Sequence, residues 1–176
     1  YALIAIGYTM VYGILRLINF AHGDIFMMAG YFTIFAVSSF GMPWYIAILF
    51  VVLVTVLLGV AIERAAYKPL RESPRMSIMI SAIGVSYLLV NSATYLFTGL
   101  PRAFPELGFL QKVYQLGPVS APIVTFITPI VTLVLLFVLM YLVNNTKTGM
   151  AMRAVSKDFE AAKLMGIEIN RIITIT

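Results

Sequence analysis

The chain has 176 residues, 61% of them hydrophobic and only 11% charged, with no cysteine and a formal net charge of +5. A soluble domain carries about 25% charged residues, so this composition excludes an ordinary soluble fold and points to an integral membrane protein. The missing cysteines exclude disulfides, thiolate metal sites and cysteine nucleophiles, and the basic residues sit between apolar runs, an orienting bias of membrane proteins that calls for no nucleic acid.

The apolar residues come in continuous rather than alternating runs, which predicts spanning helices and an all-α, polytopic helical bundle. The first run covers residues 1–17 and is broken by Asn19, Phe20, Ala21, His22, Gly23 and Asp24. A second, 25–40, stops at Gly41 and Pro43. It is short for a full crossing, so it reads either as a complete span or as a discontinuous helix whose break lines a cavity. The third, 44–62, opens on Trp44 and Tyr45, residues suited to a membrane interface. A charged loop, 63–75, carries Arg64, Lys68, Arg71 and Arg75. The fourth run, 76–97, is dotted with small and polar residues. A loop over 98–122 is rich in Pro and Gly, with a short strand or interfacial piece expected around 110–116. The fifth run is 123–143, and a charged segment, 144–171, follows it.

That makes about five spans. Both ends read as cut through membrane segments, so five is a lower bound, and residues 1–176 read as a single domain of a longer subunit. Four Lys/Arg in 63–75 and five in 144–171, against two in 98–122, place the first two segments in the cytoplasm and the third outside.

Three groups of residues could carry function. Asn19, His22 and Asp24 form the densest polar group among the apolar runs. Polar groups at membrane depth cost several kcal/mol unless satisfied, so they either bind something or stabilise irregular backbone. The alternative is a polar connection at the membrane surface with Asn19 and Asp24 as caps. One His and one Asp are too few for a metal site. In the fourth run, Ser81 and Gly84 suit close helix packing, and Asn91 needs partners for its amide, so Asn91 and Ser81 are candidates for a polar path. No glycine-framed serine and no Gly-x-x-x-x-Gly-Lys loop occurs, so neither a serine hydrolase nor ATP binding of that kind is expected in this chain.

The third group is 150–166. Met152, Val155, Phe159, Ala162 and Met165 recur at three- and four-residue steps and predict one helix with an apolar face. Arg153, Lys157, Glu160 and Lys163 take the other face, and Gly166 stands where a left-handed cap would end the helix. A helix of this kind hung between two spans needs something to dock against; the alternative is an amphipathic helix lying on membrane lipid.

Together the motifs resemble the permease subunit of bacterial ABC importers for branched-chain amino acids, of the high-affinity leucine/isoleucine/valine type. Three blocks carry the likeness: residues 1–13 with 18–24, residues 63–71 continuing into 80–86, and residues 150–166. Urea and short-chain amide permeases share much of this pattern and are the alternative. A secondary transporter working without ATP, with His22 and Asp24 as an ion site, is a further one. The resemblance implies a multi-pass protein of the bacterial inner membrane that is not itself an enzyme and holds no cofactor. It also implies a cytoplasmic coupling helix in 144–171, in which Glu160, Ala161, Ala162 and Gly166 match the family's Glu-Ala-Ala…Gly signature. Met152, Val155 and Phe159 would then complete the contact with an ATP-binding cassette subunit. The implied partners are that subunit, a second permease subunit, an extracytoplasmic substrate-binding protein and membrane lipid. ATP hydrolysis would lie on the partner. Asn19, His22, Asp24, Ser81 and Asn91 would lie along the translocation path.

Overall fold

A computed structural model describes residues 2–15, 18–71, 73–100, 102–104, 113–116 and 119–176. The expected strand around 110–116 therefore lies partly outside the described residues. The chain forms two compact units, Leu17–Pro105 and the pair Tyr1–Arg16 with Glu106–Thr176.

The Leu17–Pro105 unit contains α2 (His22–Ile34), α3 (Trp44–Ile62) and α4 (Arg75–Phe97). Helix α2 runs without a break into a π turn, Phe35–Ser39, so the second apolar run is one continuous helix that starts at His22. That is three residues earlier than the hydropathy pattern placed it. Helices α3 and α4 begin directly after Pro43 and Pro74, both extended at ψ 144° and 145°. Proline fixes φ and lacks an N–H, so it ends extended chain and opens a helix at no hydrogen-bond cost.

The charged loop expected over 63–75 is instead mostly helix. Helix α3 continues as a π turn, Glu63–Tyr67, and a 3-10 turn, Lys68–Leu70, giving an apolar helix of 27 residues, Trp44–Leu70. Ala65 and Ala66 favour helix. Pro69 has no N–H for a carbonyl one turn back, so the ladder tightens and stops there. Arg71 pairs with Glu63 across this end, and both side chains are mostly shielded.

The core of this unit is Ala21, Met28, Ile62, Leu89, Ala93 and Phe97. Tyr31 stacks on Phe97 with ring centroids 4.6 Å apart, and Phe35 meets the same ring edge-on at 5.2 Å. Such aromatic pairs add roughly 0.5–1.5 kcal/mol beyond area burial, so Phe97 anchors α4 to α2.

The other unit contains α1 (Ala2–Leu15), a hairpin of β1 (Val113–Leu116) and β2 (Val119–Pro122), then α5 (Ile123–Asn145), α6 (Lys147–Lys157), α7 (Phe159–Leu164) and α8 (Ile169–Ile175). The hairpin is antiparallel, with Val113 opposite Pro122 and Leu116 opposite Val119. Its core is Met152, Val155, Ala162 and Ile172, packed with Met10, Ile167 and Ile169.

Each of the five apolar runs forms a helix, and among the described residues three are long and apolar enough to cross a membrane: Trp44–Leu70, Met76–Phe97 and Ile123–Asn145. The chain is a multi-pass, helical membrane protein in which the β1–β2 hairpin is the one strand pair among the described residues.

Candidate functional site

The segment 144–171 is built from its turns outward. Helix α5 ends at Asn145, and Thr146 caps α6 by accepting the Gly149 N–H at 3.0 Å while donating its hydroxyl to the Leu142 carbonyl. One threonine thus serves the carbonyl end of α5 and the N–H end of α6, where unsatisfied backbone groups would otherwise remain. Gly149 is buried, and a Cβ there would collide with the backbone carbonyls of Leu142 and Val143. The corner between the two helices is therefore closed on bare backbone. Arg153 adds a hydrogen bond to the Asn144 carbonyl at 3.3 Å.

The single helix expected over 150–166 is two helices. The first ends at Lys157. Asp158 leaves the helical conformation at φ −153°, ψ 116°, and its carboxylate accepts from the Glu160 and Ala161 N–H groups at 2.9 and 3.1 Å. Aspartate is a strong N-cap, and satisfying two orphan donors outweighs continuing the first helix through it. Glu160 then sits in the first turn, where the positive end of the helix dipole favours it. The expected stop at Gly166 is present: φ is +79°, the Gly166 N–H bonds the Lys163 carbonyl, and the Ile167 N–H bonds the Ala162 carbonyl, both at 3.1 Å. That pair of bonds is the Schellman arrangement, and Ile167 and Ala162 meet in the same apolar cluster beneath it.

The break redistributes the apolar face. Met152, Val155 and Ala162 are 5%, 0% and 3% exposed and are covered by this chain's own Met10, Ile167, Ile169 and Ile172. They hold the segment together and are not open to a partner. Phe159, Glu160 and Ala161 are exposed, together with Leu164 at 89% and Met165 at 83%. Leu164 and Met165 are large apolar side chains presented to the outside of the segment.

The polar residues of the other unit are placed differently from one another. Asn19 Oδ1 accepts from the Ala21 N–H at 3.1 Å and from the Tyr67 hydroxyl at 2.8 Å, and the Asn19 carbonyl accepts from the His22 N–H at 3.3 Å. Asn19 therefore braces the turn ahead of α2, whose N-cap is Ala21 with no side-chain cap bond, and ties that turn to the end of α3. His22 and Asp24 are half-buried in the first turn of α2, where the Asp24 charge suits the dipole. Ser81 donates to the Ala66 carbonyl at 3.1 Å, linking α4 to the π turn of α3. Asn91 is exposed and donates to the Tyr87 carbonyl of its own helix at 2.7 Å. A Cβ at Gly84 meets nothing within 4 Å, so that glycine makes no close helix contact in this chain. Among the described residues, no group of three His, Cys, Asp or Glu is placed to hold a metal ion.

Tyr67→Phe removes one of the two bonds to Asn19 Oδ1 and is expected to cost about 1 kcal/mol, whereas Asn19→Ala removes both and is expected to cost about twice as much. Thermal unfolding in detergent measures both. Equal melting points for the two variants and the wild type would rule out the tie.

Sequence reasoning missed Gly149, Asp158, Tyr67 and Met10. For Asp158 a signal was present, since an Asp followed by Glu within two residues is a helix start. Tyr67 and Met10 reach their partners only through tertiary contact.

The family described as branched-chain amino acid transport system, permease component, matches residues 1–176. The chain is 36% identical over its full length to the high-affinity branched-chain amino acid transport system permease protein BraD of Pseudomonas aeruginosa. It is 37% identical, again over its full length, to the permease protein LivH of Escherichia coli K12. A probable LivH of Methanocaldococcus jannaschii is 25% identical over 96% of the chain, which covers 55% of that protein. The chain spans 61% of the length of the first two relatives. No solved structure matches it significantly. The three sequence blocks, the capped α6–α7 segment and the full-length match lead to one conclusion: this chain belongs to the family of branched-chain amino acid transport system permease components.

Proposed function

We propose that this chain forms the membrane-spanning part of an importer subunit that passes branched-chain amino acids into the cytoplasm by alternating access. ATP is hydrolysed on separate ATP-binding cassette subunits at the inner face of the bacterial plasma membrane. A second permease subunit completes the channel, and an extracytoplasmic binding protein delivers the amino acid. The observation that carries the reading is the exposed edge of α7 and its C-cap, Phe159, Glu160, Ala161, Leu164 and Met165, on a helix packed against α6, which is pinned to the end of α5. The relatives' transport of branched-chain amino acids supports the substrate.

The mechanics follow from that arrangement. Force on α7 reaches α6 through Ala162, Met152 and Val155, and α6 transmits it to α5 across the bare-backbone corner at Gly149. The corner has no flexible side chain to absorb the displacement. A partner can drive the change only if it binds the two states differently, and the exposed apolar edge supplies area for such a difference. On the pathway side, the Asn19 Oδ1 and the Ser81 hydroxyl are engaged within the fold. His22 and Asp24 stay candidates at the start of α2, and Asn91 is the polar candidate on an open face.

The test is uptake by the full-length subunit reconstituted with its binding protein, second permease and ATP-binding subunits. Labelled leucine, isoleucine and valine should accumulate with ATP and not without it. Uptake of urea or acetamide in their place would reassign the substrate, and uptake independent of ATP would overturn the motor.

A further inference from the structure

Helix α4 buries one side and leaves the opposite side open. Ile78, Ala82, Leu89, Ala93 and Phe97 face the core of the unit. On the far side, Tyr87, Asn91 and Tyr95 stand four residues apart, one above the next, with Tyr87 68% and Tyr95 88% exposed. Gly84 continues the stripe one turn earlier and leaves open space beside it.

These are poor residues to show to lipid. Asn91 engages one N–H with the Tyr87 carbonyl, and its amide oxygen has no partner among the described residues. The Tyr87 and Tyr95 hydroxyls likewise make no hydrogen bond among them. A hydroxyl or amide moved into hydrocarbon without a partner costs several kcal/mol. Tyrosine near a helix end is accounted for by the interfacial aromatic belt, which suffices for Tyr95. It does not suffice for Tyr87, which lies near the midpoint of Arg75–Phe97, some 15–18 Å of helix from either end at about 1.5 Å per residue. On one flank of the line the helix exposes Ile83 and Val90, and Thr94 there returns its hydroxyl to the Val90 carbonyl. The line faces away from the core.

We propose that the Tyr87–Asn91–Tyr95 line is a wall of the water-accessible path through which the amino acid passes. The proposal rests on the importer reading above and adds the surface that meets the cargo. An uncharged amide and two phenols give a zwitterionic head group hydrogen bonds with no fixed charge to trap it. The tyrosine rings give an aliphatic side chain an apolar surface to slide over, and Gly84 leaves the passage wide.

The test uses the absence of cysteine in these 176 residues. Single variants Tyr87→Cys, Asn91→Cys and Tyr95→Cys, with Ile83→Cys and Val90→Cys as exposed controls, are made in the full-length subunit. Any cysteine elsewhere in that subunit is replaced by serine. Each assembled transporter is treated with a membrane-impermeant thiol reagent, with and without L-leucine. Because the reactive species is the hydrated thiolate, the three stripe positions should react at least about tenfold faster than the controls, and leucine should slow them where urea does not. No labelling on the stripe in a transporter that still takes up leucine would overturn the wall and leave the importer reading intact. An oxidant-induced disulfide between two copies at Asn91→Cys, in place of alkylation, would make the line a helix–helix seam and also overturn it. Loss of leucine uptake by the wild-type assembly strikes the importer reading instead, and the labelling pattern still reports whether the line meets water.

Discussion

Gly149→Ala is expected to open the corner between α5 and α6 and to destabilise the subunit by about 3 kcal/mol or more, the upper end for a forced overpacking clash. The added methyl has nowhere to go. It meets the Leu142 and Val143 carbonyls, which are backbone atoms at the end of a membrane-length helix and cannot swing aside as a side chain would. Relief requires α6 to lift away, which also breaks the Thr146 cap. Membrane yield and the melting temperature of the detergent-solubilised full-length subunit measure the effect. Gly84→Ala is the matched control: its methyl meets nothing within 4 Å, and alanine favours helix over glycine by about 1 kcal/mol, so its melting point should hold or rise. Wild-type yield and melting point for Gly149→Ala would mean that the corner is not closed on backbone.

Adjacent alanines in α7 are expected to behave in opposite ways. Ala161 is exposed and Ala162 is 3% exposed beneath the helix. Ala161→Trp adds a large ring to the face proposed to meet the ATP-binding subunit. It should lower ATP-driven leucine uptake by at least tenfold, the consequence of losing more than about 1.4 kcal/mol of docking energy, while the melting point stays within about 0.5 kcal/mol of wild type, as surface changes do. Ala162→Trp forces the same ring into the cluster of Val155, Met152 and Ile172 and should prevent the segment from folding. Uptake, melting and co-purification of the ATP-binding subunit separate the two. Undiminished uptake by Ala161→Trp would remove α7 from the coupling path. Glu160→Lys belongs with Ala161→Trp, with a small added loss because Glu160 sits at the positive end of α7.

These contrasts show where one-dimensional reasoning stops. The three-and-four spacing correctly sets Met152, Val155 and Ala162 on a common side, but spacing cannot say what covers a side. Here the cover is Met10, far away in sequence, together with Ile167, Ile169 and Ile172. The positions of the segment left exposed are accordingly Phe159, Glu160, Ala161, Leu164 and Met165. The same limit applies to Asn19. Its chemistry announces a cap or a ligand, and only the approach of Tyr67, forty-eight residues on, shows both lone-pair directions of its oxygen in use. Ser81 is decided in the same way by the Ala66 carbonyl.

By itself, the order of residues determined that this is a membrane protein of helices, where its long apolar runs lie, and where α7 stops. These are local matters of transfer free energy, backbone φ and capping, which a short window of residues contains in full. Three things waited for the tertiary structure: that Asp158 splits the 150–166 segment into two helices, that Gly149 has no room for a methyl, and that α4 leaves a tyrosine–asparagine line uncovered. Each depends on which surfaces come within a few ångströms of one another, and the chain's own packing sets that distance where residue spacing does not.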